Sequence, residues 1–428
     1  MLLELGIIKI KDVQFGAATK VENGVLYVDK AAMLKALEGD DRIKSLDIDL
    51  VKPGDSARII PVKDVIEPRV KVSGPGNIFP GMLGKVDTVG SGRTHVLQGC
   101  AVVTTGGIVG FQEGIIDMSG PGAEYTPFSK LLNIVVIAEV REGTLQHDHE
   151  AVVRMVGFKA AAYLAEAARN LEPCEVKVYE HLPYLQAAAK YPKLPKVVYV
   201  YMLQTQGLLH DTYVYGVDAK RILPTLISPT EIFDGAIVSG NCVSACDKNP
   251  TLVHCNNPII EDLYARHGKD LNFMGVVITN ENVTLADKER SSSYTAKLVE
   301  MLGADAVIVS EEGFGNPDAD LMMNCVKIEK KGIKTVLVTD EYAGRDGASQ
   351  SLADANPLAD AVVTAGNANE VIVLPPMAKV IGHPQVADVI AGGWAGSLQA
   401  DGSIIAEIQV ITGSTNELGY HTLTAKEA

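Results

Sequence analysis

The residues with the most distinctive chemical potential are Asn241 and Cys242, in the stretch VSGNCVSACDKNP over residues 238–250. Gly240 frees the backbone to take unusual dihedral angles just before the pair. A cysteine thiol beside a strained amide can attack the preceding carbonyl, because thiols are the best protein nucleophiles. The resulting N-to-S acyl shift turns the amide into a thioester. β-Elimination then releases the sulfur with the upstream fragment and leaves dehydroalanine. This tautomerises to an imine, which loses ammonia to water and becomes a pyruvoyl group. Such a ketone condenses with amines and acts as an electron sink without a separate cofactor. An Asn-Cys pair also has a plainer reading as a buried cysteine, and the pair alone does not separate the two.

The neighbours add candidates with plainer readings of their own. Cys246 follows Cys242 after three intervening residues, with His254 and Cys255 further on, and these are soft-to-borderline metal ligands. Their spacing fits no common zinc pattern, so no metal is expected. Cys246 reads first as a packed thiol, with a redox or processing role as the sharper option. His254 is a candidate for protonating a leaving amine or assisting elimination, against a hydrogen-bonded structural histidine. The run His147-Asp148-His149-Glu150 resembles a ligand cluster, but its place at a helix start suits a solvated cap. A substrate carboxylate would need a cation. Lys248, Arg290 and Arg345 lie near the relevant loops, each also readable as a surface or ion-pair residue.

Composition narrows the classes. The chain has 428 residues, 47% hydrophobic and 5% aromatic, with a formal charge of −15. That length suits two or three domains with buried cores. The acidic balance and the lack of any basic run argue against nucleic-acid binding. The N-terminus MLLELGIIKIKD has no signal-peptide pattern, and no apolar run is long enough to span a membrane. Six cysteines are few for a disulfide framework of this size. A reduced, cytoplasmic protein is expected.

The elements that must position these residues follow from periodicity. Residues 1–135 are strand-rich and punctuated by glycine, with two SGPG segments that read as turns rather than phosphate loops. Residues 149–170 read as a helix that Asp148 could cap. Strands are expected over 196–201 and 212–216, ahead of the segment 236–242 that carries the Asn-Cys pair. After about residue 270, strands at 275–279, 306–310, 335–339, 361–364 and 371–374 alternate with helices over 291–302 and 318–331. This alternation predicts an α/β fold: a C-terminal parallel sheet with helices on both faces, of the doubly wound, Rossmann-like kind, after a strand-rich α+β portion. Ligands then bind beyond the carboxyl ends of the strands, at loops 279–282, 310–316, 340–346 and 365–367. The first strand carries no G-x-G-x-x-G, so no nucleotide is expected.

The stretch GNCVSACDKNPTLVHCNNPIIEDLYARHGKDLNF over residues 240–273, the N-terminal LELGIIKIKDVQFG and KVENGVLYV together resemble the component B proproteins of glycine/sarcosine reductases. NCVSAC is the most specific of these, and the resemblance covers the whole chain. It implies autocatalytic cleavage into residues 1–241 and 242–428, which stay associated, with Cys242 retained as the pyruvoyl. It implies that this group takes the substrate amine as a Schiff base. The α-carbon is then attacked by a selenolate of selenoprotein A, in an assembly completed by a selenocysteine-containing subunit of component B. A third component would release acetyl phosphate. Betaine has no N–H and cannot condense with a carbonyl; glycine is favoured over sarcosine, the alternative substrate. Two further alternatives are an uncleaved α/β small-ligand-binding protein and a non-catalytic scaffold subunit.

Overall fold

The computed structural model describes residues 1–207, 209, 212–240 and 245–418. Asn241 and Cys242 lie outside the described residues. The central element is a six-stranded sheet with the order Thr225–Ile227, Asn272–Asn280, Lys196–Leu203, Ala306–Ser310, Lys334–Glu341, Val362–Asn367. Neighbours run parallel, except that Thr225–Ile227 is antiparallel to Asn272–Asn280 at one edge. The middle strand, KVVYVYML, is apolar along nearly its whole length because both its faces are covered. Val198, Val200 and Met202 pack with Leu321, Cys325 and Val299 under helices Leu285–Met301 and Asn316–Glu329. Tyr199, Tyr201 and Leu203 point the other way. They pack with Val253, Ile260 and Leu263 of helices Thr251–Cys255 and Pro258–Arg266, and with the N-terminal strands.

The two long helices start where local chemistry lets them. Thr284 accepts a hydrogen bond from the Asp287 amide at one N-terminus. At the other, Gly315 takes a positive φ of 81°, Pro317 follows it, and the Asp318 carboxylate accepts from the Gly315 amide at 2.8 Å.

The parallel sheet is present as expected, but it is not confined to the C-terminal half. Its middle strand and one edge strand precede residue 241, so the sheet is interleaved from both sides of that position. Val371–Leu374 does not join it. Val371 and Val373 are exposed, and the strand pairs antiparallel with Ile404–Glu407 in a separate ribbon.

The N-terminal portion is strand-rich. Leu2–Lys9 lies between Glu175–Glu180 and Gly92–Gln98. Ile43–Val51, Leu132–Val140, Cys100–Thr105 and Asp64–Ile66 form a second sheet, over which helix Gln146–Ala165 packs through Val153, Val156 and Ala160. That helix starts three residues earlier than expected. Leu145 is its N-cap, and Asp148 sits in the first turn, paired with Arg42 at 2.9 Å. The first SGPG segment is a bend, with Gly74 at a φ of 97°, whereas the second leads into a short 3-10 helix, Pro121–Tyr125, capped by Gly120 at a φ of 71°. A second link across residue 241 is the parallel pairing of Lys379–Gly382 with Ala57–Val62.

Candidate active site

Ile237–Ser239 is a short buried strand that leads into Gly240. Two contacts hold its exit. The Ser239 amide donates to Thr251 Oγ1 at 3.0 Å, and Thr251 donates to Asp64 through its amide (2.9 Å) and hydroxyl (2.6 Å). Arg154 Nη1 donates to the Gly240 carbonyl at 3.2 Å and to Glu150 Oε1 at 2.9 Å, with its guanidinium 4.6 Å from the Tyr213 ring centre. The chain re-enters at Ala245. There the Ala245 and Cys246 carbonyls accept from the Gly413 and Thr415 amides at 2.7 and 3.2 Å. A side chain on Gly114 would meet Thr412 Oγ1 at 2.3 Å and the Ala245 Cβ at 2.6 Å, so glycine is required for this approach. The buried run from Ala245 to Pro250 then crosses the carboxyl ends of the parallel strands.

Those strand ends carry acids. Glu281, Glu311, Glu312 and Asp340 lie at the carboxyl ends of three strands, and Asp247 and Glu417 join them; all are buried. Asn249 ties the set together. Its amide donates to Glu312 Oε1 at 2.9 Å and its Nδ2 to Glu417 Oε1 at 2.6 Å, while Asn416 Nδ2 donates to Asn249 Oδ1 at 2.8 Å. The Glu312 amide donates to Glu281 Oε1 at 3.1 Å. Burial, followed by mutual repulsion, pushes Glu281 and Glu417 well above the usual carboxylate range. Asp340 is pushed the same way by burial and by Asp247. Burial raises Asp247 to about 7 and Asp64 to about 6. Several of these groups therefore hold protons at neutral pH, which is how so many carboxyls can share a buried space. Burial raises Glu312 as well, and Lys248, also buried, is the nearby cation that partly offsets the rise at Glu312 and Asp64.

Beside this cluster is a cavity of about 360 Å³ whose wall includes Ala245 and Cys246. Phe314 and Tyr342, from the loops after two adjacent parallel strands, stack on one another with ring centres 4.5 Å apart. Arg345 and Glu407 complete the polar lining, 2.7 Å apart. The cavity lies beyond the carboxyl ends of the strands, where an open α/β sheet binds ligands.

The structure places the other sequence candidates as follows. Cys246 lines the cavity, with its thiol 3.6 Å from Asp247 Oδ1. Cys246, Asp247 and Asp340 bring potential ligand atoms within 4.8 Å of one another; among the described residues, His254 and Cys255 do not join that group. His254 is fully buried, 2.7 Å from the Tyr201 hydroxyl through Nδ1 and 3.7 Å from Glu312 through Nε2. Burial pushes its pKa well below the usual value, so it is neutral. Cys255 is a buried thiol raised to about 11. The run from His147 to Glu150 is only partly a solvated cap, because Glu150 turns inward to Arg154. Arg290 is exposed and paired with Asp287. Arg154, Asp64 and Glu417 were not singled out from the sequence. They reach this region from far along the chain, and nothing local to them signals it.

Fold and site together define a mixed α/β protein with an enzyme-type polar cavity at the carboxyl edge of its parallel sheet, walled in part by Ala245 and Cys246. Residues 1–426 match the family model described as glycine/sarcosine/betaine reductase component B subunits, and the chain belongs to that family. It is 70% identical to the glycine reductase complex component B subunits alpha and beta of Acetoanaerobium sticklandii, over the full length of both chains. The identity to the corresponding protein of Peptoclostridium acidaminophilum is also 70%, and to that organism's sarcosine reductase complex component B subunit alpha it is 59%, again with both chains fully covered. No solved structure matches the chain. No helix among the described residues is long and apolar enough to cross a membrane.

Proposed function

We propose that this chain is the pyruvoyl-forming subunit of a glycine reductase component B. In this reading it cleaves itself between Asn241 and Cys242 into residues 1–241 and 242–428. The fragments stay together and work in the cytoplasm with a selenocysteine-containing subunit and selenoprotein A. The observation that carries the reading is the seating of the segment around the pair. It is gripped at Gly240 and again at Ala245 and Cys246, and it returns along a polar cavity. Higher identity to glycine than to sarcosine reductase relatives favours glycine over sarcosine as substrate.

The pyruvoyl group supplies an electrophilic ketone that takes up the substrate's amino group. The chain's own residues do the rest. Arg154 fixes the peptide preceding the scissile one by holding the Gly240 carbonyl. Thr251 and Asp64 fix the strand that delivers it. Asp247, raised to about 7 and next to Cys246, can hold or yield a proton near neutral pH. Cys246 lines the cavity as a soft, weakly polar wall. His254, neutral and bonded to Tyr201, positions the helix behind the cluster. The residues present thus suit a small ketone at the head of the second fragment: a polar, proton-bearing pocket.

Replacing Cys242 tests this. Cys242→Ala is expected to stay a single chain on denaturing gels and to lose glycine-dependent acetyl phosphate formation with the partner components. A Cys242→Ala chain that still splits, or an uncleaved one that still turns over, would overturn the reading.

A further inference from the structure

We infer that Arg345 is the carboxylate-binding residue of the cavity beside Cys246, and that the ligand it takes is a small zwitterionic amino acid. The inference rests on the reading above for what the amino end meets. The argument for the carboxylate end stands on Arg345 itself.

Arg345 is held on two sides and open on the third. Its Nε donates to Glu407 Oε1 at 2.7 Å, and its guanidinium carbon lies 4.3 Å from the centre of the Trp394 ring. Glu407 is itself fixed, because its Oε2 accepts from Asn369 Nδ2 at 3.0 Å and from Gln409 Nε2. No other hydrogen bond leaves the guanidinium among the described residues, and the side chain is 55% exposed. A fork pinned at Nε and along one face presents its two terminal nitrogens for bidentate pairing with a carboxylate.

The surroundings select the rest of the ligand. Arg345 is the cation in the cavity wall among the described residues. Lys248 is buried in the carboxylate cluster and Arg290 is paired on the surface, so neither competes for the ligand. Glu407 in the same wall offsets the charge of Arg345, so the lining carries no excess of positive charge that would favour a dianion. A volume of about 360 Å³ lies at the small end of ligand sites, which run from about 300 to 1,000 Å³.

The test compares glycine with ethylamine, which offers the same amine without a carboxylate. Each is incubated with the full-length, cleaved protein and trapped with borohydride, and the adduct on the 242–428 fragment is measured by intact mass. In Arg345→Ala the glycine concentration for half-trapping should rise roughly 10- to 150-fold, as expected for losing hydrogen bonds to a charged group, with ethylamine unchanged. Arg345→Lys, which keeps the charge and guards against misfolding, should fall between. Equal trapping of glycine by wild type and Arg345→Ala would overturn the inference. If wild type traps neither amine, the pyruvoyl reading fails instead. Saturation-transfer NMR of glycine and acetate, which needs no cleavage, then decides Arg345: a signal lost in Arg345→Ala supports it, and an unchanged signal overturns it.

Discussion

Arg154 reaches Gly240 from within a helix 86 residues earlier in the chain, and its guanidinium links the backbone ahead of the Asn-Cys pair to a buried glutamate. Replacing it with lysine keeps the charge but removes the fork. Arg154→Lys should therefore slow fragment formation by about tenfold, the scale of one charge-assisted hydrogen bond, while leaving most of the chain folded. Time-resolved denaturing gels of newly made protein check this. The buried acids set a second expectation. Asp247 and Asp64 have folded-state values near 7 and 6 against an ordinary value of 3.8, so the folded protein binds more protons than the unfolded chain between those limits. Their contribution to stability is fully present below about pH 4 and is lost as pH rises through 6 and 7. Melting temperature should fall from pH 6 to pH 8, and Asp247→Asn should flatten that fall; an unchanged slope in the variant would contradict the assignment. At this scale the sequence was legible only where chemistry is local. The Asn-Cys pair and Cys246 announce themselves by type and spacing. Arg154, Asp64 and Glu417 matter through contacts 86 to 187 residues away, which no local pattern encodes.

Strands and helices behave differently, because their periodicities are local. The apolar runs at 196–201, 275–279, 306–310 and 335–339 all became strands; the helix expected over 318–331 formed within two residues of its bounds, and the one expected over 291–302 starts six residues earlier, at Leu285. Pairing was not legible. Nothing in KVVYVYML says that it takes the middle of the sheet, flanked by two strands that follow residue 241. Nor does the apolar run of Val371–Leu374 show that one of its faces is left to solvent. Two elements give direct expectations. Leu321, fully buried under the sheet, should cost about 2–5 kcal/mol when cut to alanine, read by chemical denaturation. Gly114→Ala introduces a methyl that must displace Ala245 or Thr412. It should cost about 1–3 kcal/mol and also hinder cleavage, because it presses on the returning arm of the segment.

Over the whole molecule, the two sides of residue 241 are woven together. Lys196–Leu203 sits between two strands from the far side, and Ala57–Val62 pairs with Lys379–Gly382. Arg58 adds a buried tie. Its guanidinium pairs with Asp117 at 2.7 and 2.8 Å and also donates to the carbonyls of Pro375 and Gly402 at 3.0 and 3.3 Å. Cleavage would therefore produce fragments that separate only when the sheet itself unfolds. Arg58→Met leaves Asp117 buried without its cation and should cost about 3–5 kcal/mol. Loss of fragment co-elution at a lower denaturant concentration than in the wild type would report it.

The most direct test of the central claim is intact mass spectrometry of the purified wild-type protein under denaturing conditions, with and without borohydride and glycine. The expected result is two fragments divided between Asn241 and Cys242, the second beginning with a pyruvoyl in place of cysteine and gaining a glycine adduct only when both reagents are present. A single full-length chain that persists after co-expression with the partner subunit, or a second fragment that begins with an intact cysteine, would contradict it.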